Sequence, residues 1–169
     1  IALEERADDS IKKDIEEIDF KNRNSFMGFK VVIHPKDIPS ESRVKGANVT
    51  YAAKKAAFFL KEENINYENV LISCFDSDTI VPNHYFSCLT YYFLITPDRT
   101  LASYQPIPVY HNNIWQVPGF ARVIETGSSF YQLIEATNPE QLVTFSSHSM
   151  SFKALVDIDY WPVDIISDD

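Results

Sequence analysis

Apolar positions recur along this chain with two different periods. In a charged stretch near the start, Ile11, Ile15 and Ile18 fall at i, i+4 and i+7, which predicts an amphipathic helix over residues 7–20. Residues 29–33 form a short apolar run closed by His34-Pro35 and read as a strand, followed by a polar loop over 36–46 with Pro39, Ser40 and Ser42. A second helix is predicted over 47–63, where Ala52, Ala53, Ala56, Ala57, Phe58 and Leu60 build a broad apolar face and Asn48 is placed to cap it. The run NVLISCF at 69–75 is short, β-compatible and almost wholly apolar, as expected of a strand buried on both faces of a sheet. Residues 82–95 read as a helix with proline in its first turn. SYQPIPVY at 103–110 is strand-like, but Pro106 and Pro108 confine it to an edge or a loop. A helix over 120–136 and a short strand over 142–145 follow, and 150–161 carries no decisive pattern. Helices alternate with strands, so the expected class is α/β: a layered single domain with a mostly parallel central sheet flanked by helices.

Composition narrows the function classes. At 45% hydrophobic and 23% charged residues the chain is of the folded globular kind, not disordered. The net charge is −9 and the longest basic clusters are the pairs Lys12-Lys13 and Lys54-Lys55, which argues against nucleic-acid binding. An acidic chain that handles an anionic ligand needs a local neutralising device, and a divalent cation on carboxylates is one. Cys74 and Cys88 fit neither a zinc pattern nor a disulfide framework, so reduced thiols in a cytoplasmic setting are expected. The N-terminus has no leader pattern, and no run approaches the ~20 apolar residues of a spanning helix. Starting at Ile1 and stopping at Asp168-Asp169, the sequence reads as an interior fragment, incomplete at both ends.

The strongest chemical signal is LISCFDSDTIVPN, which sets Asp76 and Asp78 directly after the apolar strand. In an extended segment residues i and i+2 point the same way, so the two carboxylates are expected to converge where ligands sit in open α/β sheets. Two such carboxylates repel unless a cation joins them, and Mg2+ or Mn2+ shared with substrate phosphates is the natural guest. The plainer reading is a pair of solvated aspartates in a turn. Upstream, Lys45-Gly46-Ala47-Asn48 leads into the alanine-rich helix, and a loop ending at a helix N-terminus offers N–H groups to an anion. By itself that loop is an ordinary helix entry.

The order Lys-Gly-x-Asn, alanine-rich helix, apolar strand and Asp-x-Asp resembles the family-2 inverting glycosyltransferases of the GT-A fold. The resemblance spans most of the chain. It implies that Asp76 and Asp78 hold a divalent metal, and that Lys45, Asn48 and Asp76 contact the nucleotide-sugar donor. The closing Ser167-Asp168-Asp169 is similar to the family's acidic motif, with Asp168 where Glu is usual, which implies that Asp169 is the general base. The stretch FSSHSMSF at 145–152 is similar to the segment that lines the acceptor side, and marks His148 as a binding candidate. Implied partners are a nucleotide-sugar donor and a carbohydrate or lipid-linked acceptor. Members often act at the cytoplasmic face of a membrane, here through segments outside this chain. The Gln-x-x-Arg-Trp motif of processive members is not present.

Two other classes compete. A haloacid-dehalogenase-like phosphohydrolase also places Asp-x-Asp after an apolar strand. Asp76 would then be the nucleophile and Asp78 the acid/base, with Ser146, Lys153 and Asp168-Asp169 serving later motifs. Against it, residues 1–75 precede a motif that normally opens that domain, and the glycine usual after the second aspartate is missing. A non-catalytic binding module is the third reading. His111 is expected in a loop, Trp115 and Trp161 in core packing rather than on a sugar face, and Glu4 and Glu5 in solvent.

Overall fold

The computed structural model describes residues 1–109, 112–138 and 147–165. The expected strand over 142–145, His111 and the acidic pair Asp168-Asp169 lie outside them. The class is mixed α/β, as the alternating pattern predicts. The described chain divides into two compact units, one of residues 1–69 with 155–165 and one of residues 70–154.

In the first unit, β1 (Ala2–Glu4) and β2 (Val32–His34) pair in parallel, with Leu3 opposite Ile33. Parallel neighbours need a crossover, and α1 (Asp9–Asn22) supplies it. This helix buries none of its residues, and Ile11 and Ile18 stay largely exposed. Its polar face carries i,i+4 pairs, Lys21 with Glu17 at 3.0 Å and Arg23 with Asp19 at 2.8 Å.

Helix α2 (Lys45–Glu62) packs against both strands. It buries Gly46, Ala47, Thr50, Ala53 and Ala57, one small-residue face that lets the helix lie close to the sheet. The helix begins two residues earlier than its alanine run predicts. Val44, in extended geometry, is the N-cap, and no side chain caps it. Asn48 therefore stands inside the first turn and is not the cap.

Leu155 and Trp161 complete this core with Leu3 and the α2 alanines. Thr50 is buried and holds the Trp161 backbone twice: its hydroxyl donates to the carbonyl at 2.9 Å and accepts from the N–H at 3.2 Å. His34 is buried at the end of β2, with Nε2 2.8 Å from a Glu41 carboxylate oxygen and its ring edge-on to Tyr51.

In the second unit, β3 (Leu71–Cys74), β5 (His148–Ser151) and β4 (Ser103–Tyr104) form a sheet in the order β3-β5-β4, antiparallel throughout. The expectation of a mostly parallel central sheet does not hold for these strands. Apolar content marks a strand but not its direction, and β3 takes its partner from a segment far along the chain whose pattern was indecisive. Nor is β3 buried on both faces, since all four of its residues are half-buried. Strand β4 ends before Pro106, as a residue without an N–H requires.

Helix α3 (Tyr85–Ile95) starts after His84, which takes the left-handed conformation, and Pro82 stands before it in a turn closed by the Tyr85 N–H. Helix α4 (Gly119–Glu135) matches its predicted span within a residue, and a short α5 (Phe152–Asp157) follows β5 directly. Among the described residues no helix is long and apolar enough to cross a membrane.

Thr50→Val should destabilise the first unit by about 2–3 kcal/mol, because both hydrogen bonds between the Thr50 hydroxyl and the Trp161 backbone are lost. Thr50→Ser, which keeps the hydroxyl, should lose only about 1 kcal/mol for the missing methyl. Denaturant unfolding of the two variants measures the difference.

Candidate functional site: an aspartate turn above an apolar cleft

Strand β3 stops at Cys74, and the chain turns at once. The Thr79 N–H donates to the Asp76 carbonyl at 3.0 Å, closing a β-turn with Ser77 and Asp78 at its corners. Aspartate and serine suit such a turn because their short polar side chains satisfy nearby backbone groups. Asp76 and Asp78 are thus presented by a turn and not by an extended strand, so the i, i+2 alternation expected to align their carboxylates does not apply. Both line one cleft, Asp76 half-buried and Asp78 exposed.

The turn is pinned by a residue distant in sequence. Ser147 Oγ accepts the Asp76 N–H at 3.2 Å, lies 2.8 Å from Thr79 Oγ1 and reaches 3.5 Å to Asp76 Oδ2. A hydroxyl has one proton to give and two lone pairs. The arrangement is consistent when Ser147 accepts from the amide and from Thr79 and directs its own proton at the Asp76 carboxylate. Ser147 holds this position with φ of 67°, in the left-handed region that non-glycine residues seldom occupy. From the other side, Asn112 Nδ2 donates to the Asp78 carbonyl at 2.9 Å.

The cleft has a volume of about 740 Å³. Its lining includes Pro106, Ile107, Pro108 and Val109, together with Phe75, Ile80, Val81 and Tyr85. Phe75 and Tyr85 meet edge-to-face at 5.8 Å, which fixes both rings. Among the described residues no lysine, arginine or histidine lines this space, and Asp76 and Asp78 bring the formal charges there. Two carboxylates with adjoining hydroxyls suit a hard cation such as Mg2+ or Mn2+, which takes one or two protein carboxylates and fills its remaining positions with phosphate oxygens and water. Among the described residues no cluster of three or more His, Cys, Asp or Glu forms a self-sufficient metal cage.

The other sequence candidates fall elsewhere. Lys45 opens α2 and Asn48 sits in its first turn, with Oδ1 buried and in no hydrogen bond. Both belong to the first unit, whereas Asp76 and Asp78 belong to the second. His148 is the first residue of β5, buried and paired in register with Cys74, and it does not line the cleft. Trp115 is 80% exposed, contrary to the core role expected of it, while Trp161 is buried as expected.

Sequence reasoning missed Ser147, Thr79, Asn112 and the proline-flanked wall as parts of the site. The only signals were a hydroxyl-rich stretch and a polar pair in loops, which carry no spacing rule.

Ser147→Ala should cost about 1–3 kcal/mol by removing the hydroxyl that accepts from the Asp76 amide. Ser147→Gly loses the same hydroxyl but relieves the left-handed backbone, and should be less destabilising than alanine by about 1 kcal/mol. Parallel denaturation of the two variants tests this order.

Comparison with protein-family models, curated proteins and solved structures gives no match, so the reading of this cleft rests on its own residues.

Proposed function

We propose that this chain carries the donor-binding cleft of a metal-dependent, inverting glycosyltransferase that uses a nucleotide-sugar donor. The observation that carries the reading is the placement of Asp76 and Asp78 on one pinned turn beside a cleft lined largely by apolar residues and, among the described residues, by no basic one. A nucleoside diphosphate has an apolar ring face and an anionic tail. Proline and aromatic walls suit the first, and carboxylate-bound Mg2+ or Mn2+ suits the second. The cleft volume lies in the usual range for small-molecule sites.

In this reading Asp76 and Asp78 would hold the metal, which would supply Lewis-acid stabilisation of the diphosphate leaving group. Ser147 and Thr79 keep the Asp76 carboxylate oriented, which lowers the reorganisation needed when donor arrives. The cleft walls hold the donor and exclude water from its diphosphate. Asp169 takes the proton of the attacking acceptor hydroxyl, with Asp168 beside it in sequence, and a single displacement with one base inverts the anomeric centre. His148 serves the acceptor side. The acceptor is a carbohydrate or a lipid-linked sugar.

Thermal shift with nucleoside diphosphates and Mn2+ tests the donor site. Nucleotide and Mn2+ together should raise Tm by about 3–6 °C at ten times Kd, and neither alone should do so. Asp78→Ala should remove the response. A shift with beryllofluoride and Mg2+ but not with any nucleoside diphosphate would instead favour the phosphohydrolase. In a transfer assay Asp169→Asn should lower the rate by about 10²–10⁴-fold while leaving the nucleotide-dependent shift intact. Full transfer activity in that variant would reject Asp169 as the base.

A further inference from the structure

Helix α4 is amphipathic the wrong way round for a monomer. Its fully buried residues are polar, Ser129 and Gln132, each 8% exposed. Its apolar residues Phe120, Val123, Ile124, Phe130, Tyr131 and Ile134 are 57–74% exposed. Apolar side chains at 3.6-residue spacing normally turn inward. Scattered exposed apolar residues are ordinary, but a continuous helical stripe of them marks an interaction surface.

The stripe has an internal symmetry. Counted from Gly127, apolar side chains stand at −7 and +7 (Phe120, Ile134), at −4 and +4 (Val123, Tyr131) and at −3 and +3 (Ile124, Phe130). Offsets of three, four and seven share one helix face. A Cβ built on Gly127 would meet nothing within 4 Å, so the middle of the stripe is bare backbone open to close approach. When two copies of one helix cross antiparallel about a two-fold axis, position 127+n of one faces 127−n of the other, and every contact occurs twice. The apolar pattern meets that condition at each of its three pairs.

We propose that α4 is the self-association surface of this protein, pairing antiparallel with α4 of a second copy across a two-fold axis at Gly127. The area is of the right order. The six side chains expose on the order of 600 Å² per copy, taking about 150–250 Å² for a full aromatic side chain. A standard interface takes roughly 800 Å² per partner, and the open backbone around Gly127 adds to the patch. Charge disfavours an anionic lipid surface as the occupant. The chain has net charge −9, and Arg122, the one basic residue of α4, is engaged with the Val117 and Trp115 carbonyls.

A charge-complementation experiment on the full chain tests both pairing and direction. In the antiparallel crossing, Ile124 of one copy comes level with Phe130 of the other, across the width of the interface and within reach of long side chains. By sedimentation equilibrium at about 50 μM the wild type should be a reversible dimer. Ile124→Lys and Phe130→Glu should each weaken association about tenfold or more, with unchanged far-UV circular dichroism, because both positions are exposed. An equimolar mixture should restore the dimer, since the introduced ammonium and carboxylate then face each other across one of the two equivalent contacts. Val123→Lys with Tyr131→Glu repeats the design should a first variant fail to fold. The proposal is overturned by a monomeric wild type, by oligomers larger than a dimer, by single variants that remain dimeric, or by a mixture that stays monomeric. A monomer that co-sediments with phosphatidylcholine vesicles would assign the face to a lipid surface instead.

Discussion

One hydroxyl, that of Ser147, sets the geometry of the aspartate turn. It bridges the Asp76 amide, the Asp76 carboxylate and Thr79 across 71 residues of sequence. Its position follows from the sheet. Cys74 pairs with His148, so the next step of the same register brings Ser147 beside the chain as it leaves β3. A one-residue slip of β5 would turn every side chain of the strand to the other face and remove the hydroxyl from the turn. The candidate metal site therefore depends on a strand register.

That register is fixed by an unusually polar interior. Ser149 is fully buried in the central strand, 2.7 Å from Ser73 Oγ and 3.5 Å from the Tyr85 hydroxyl, and its carbonyl accepts from Ser103. Buried polar groups are tolerated only with partners, and a satisfied set specifies one arrangement where apolar packing would accept several. Tyr85 belongs both to this network and to the cleft wall, so the interior that fixes the register also shapes the cleft.

The charge distribution follows the same economy. The cleft gathers proline and aromatic surface beside two carboxylates, with no lysine, arginine or histidine among its described lining residues. On the other elements of this unit, apolar residues face outward along α4 while the helix keeps serine and glutamine inside.

The sequence alone determined the elements whose signals are local. Isoleucine spacing located α1, the alanine run α2 and the apolar run β3, while Pro106 ended β4, because helix period, strand-like composition and proline chemistry act over a few residues. It also singled out Asp76 and Asp78. Tertiary structure decided what depends on partners distant in sequence. The direction of β3 waited for β5, whose hydroxyl-rich HSMS carries no apolar alternation to announce a strand. The aspartates came to a turn rather than an extended segment because Ser147 and Thr79 offer hydrogen bonds that no spacing rule anticipates. The sequence located a helix over 120–136, but only packing decided which face of α4 turns inward. A hydrophobic pattern records that a face needs covering, not what covers it.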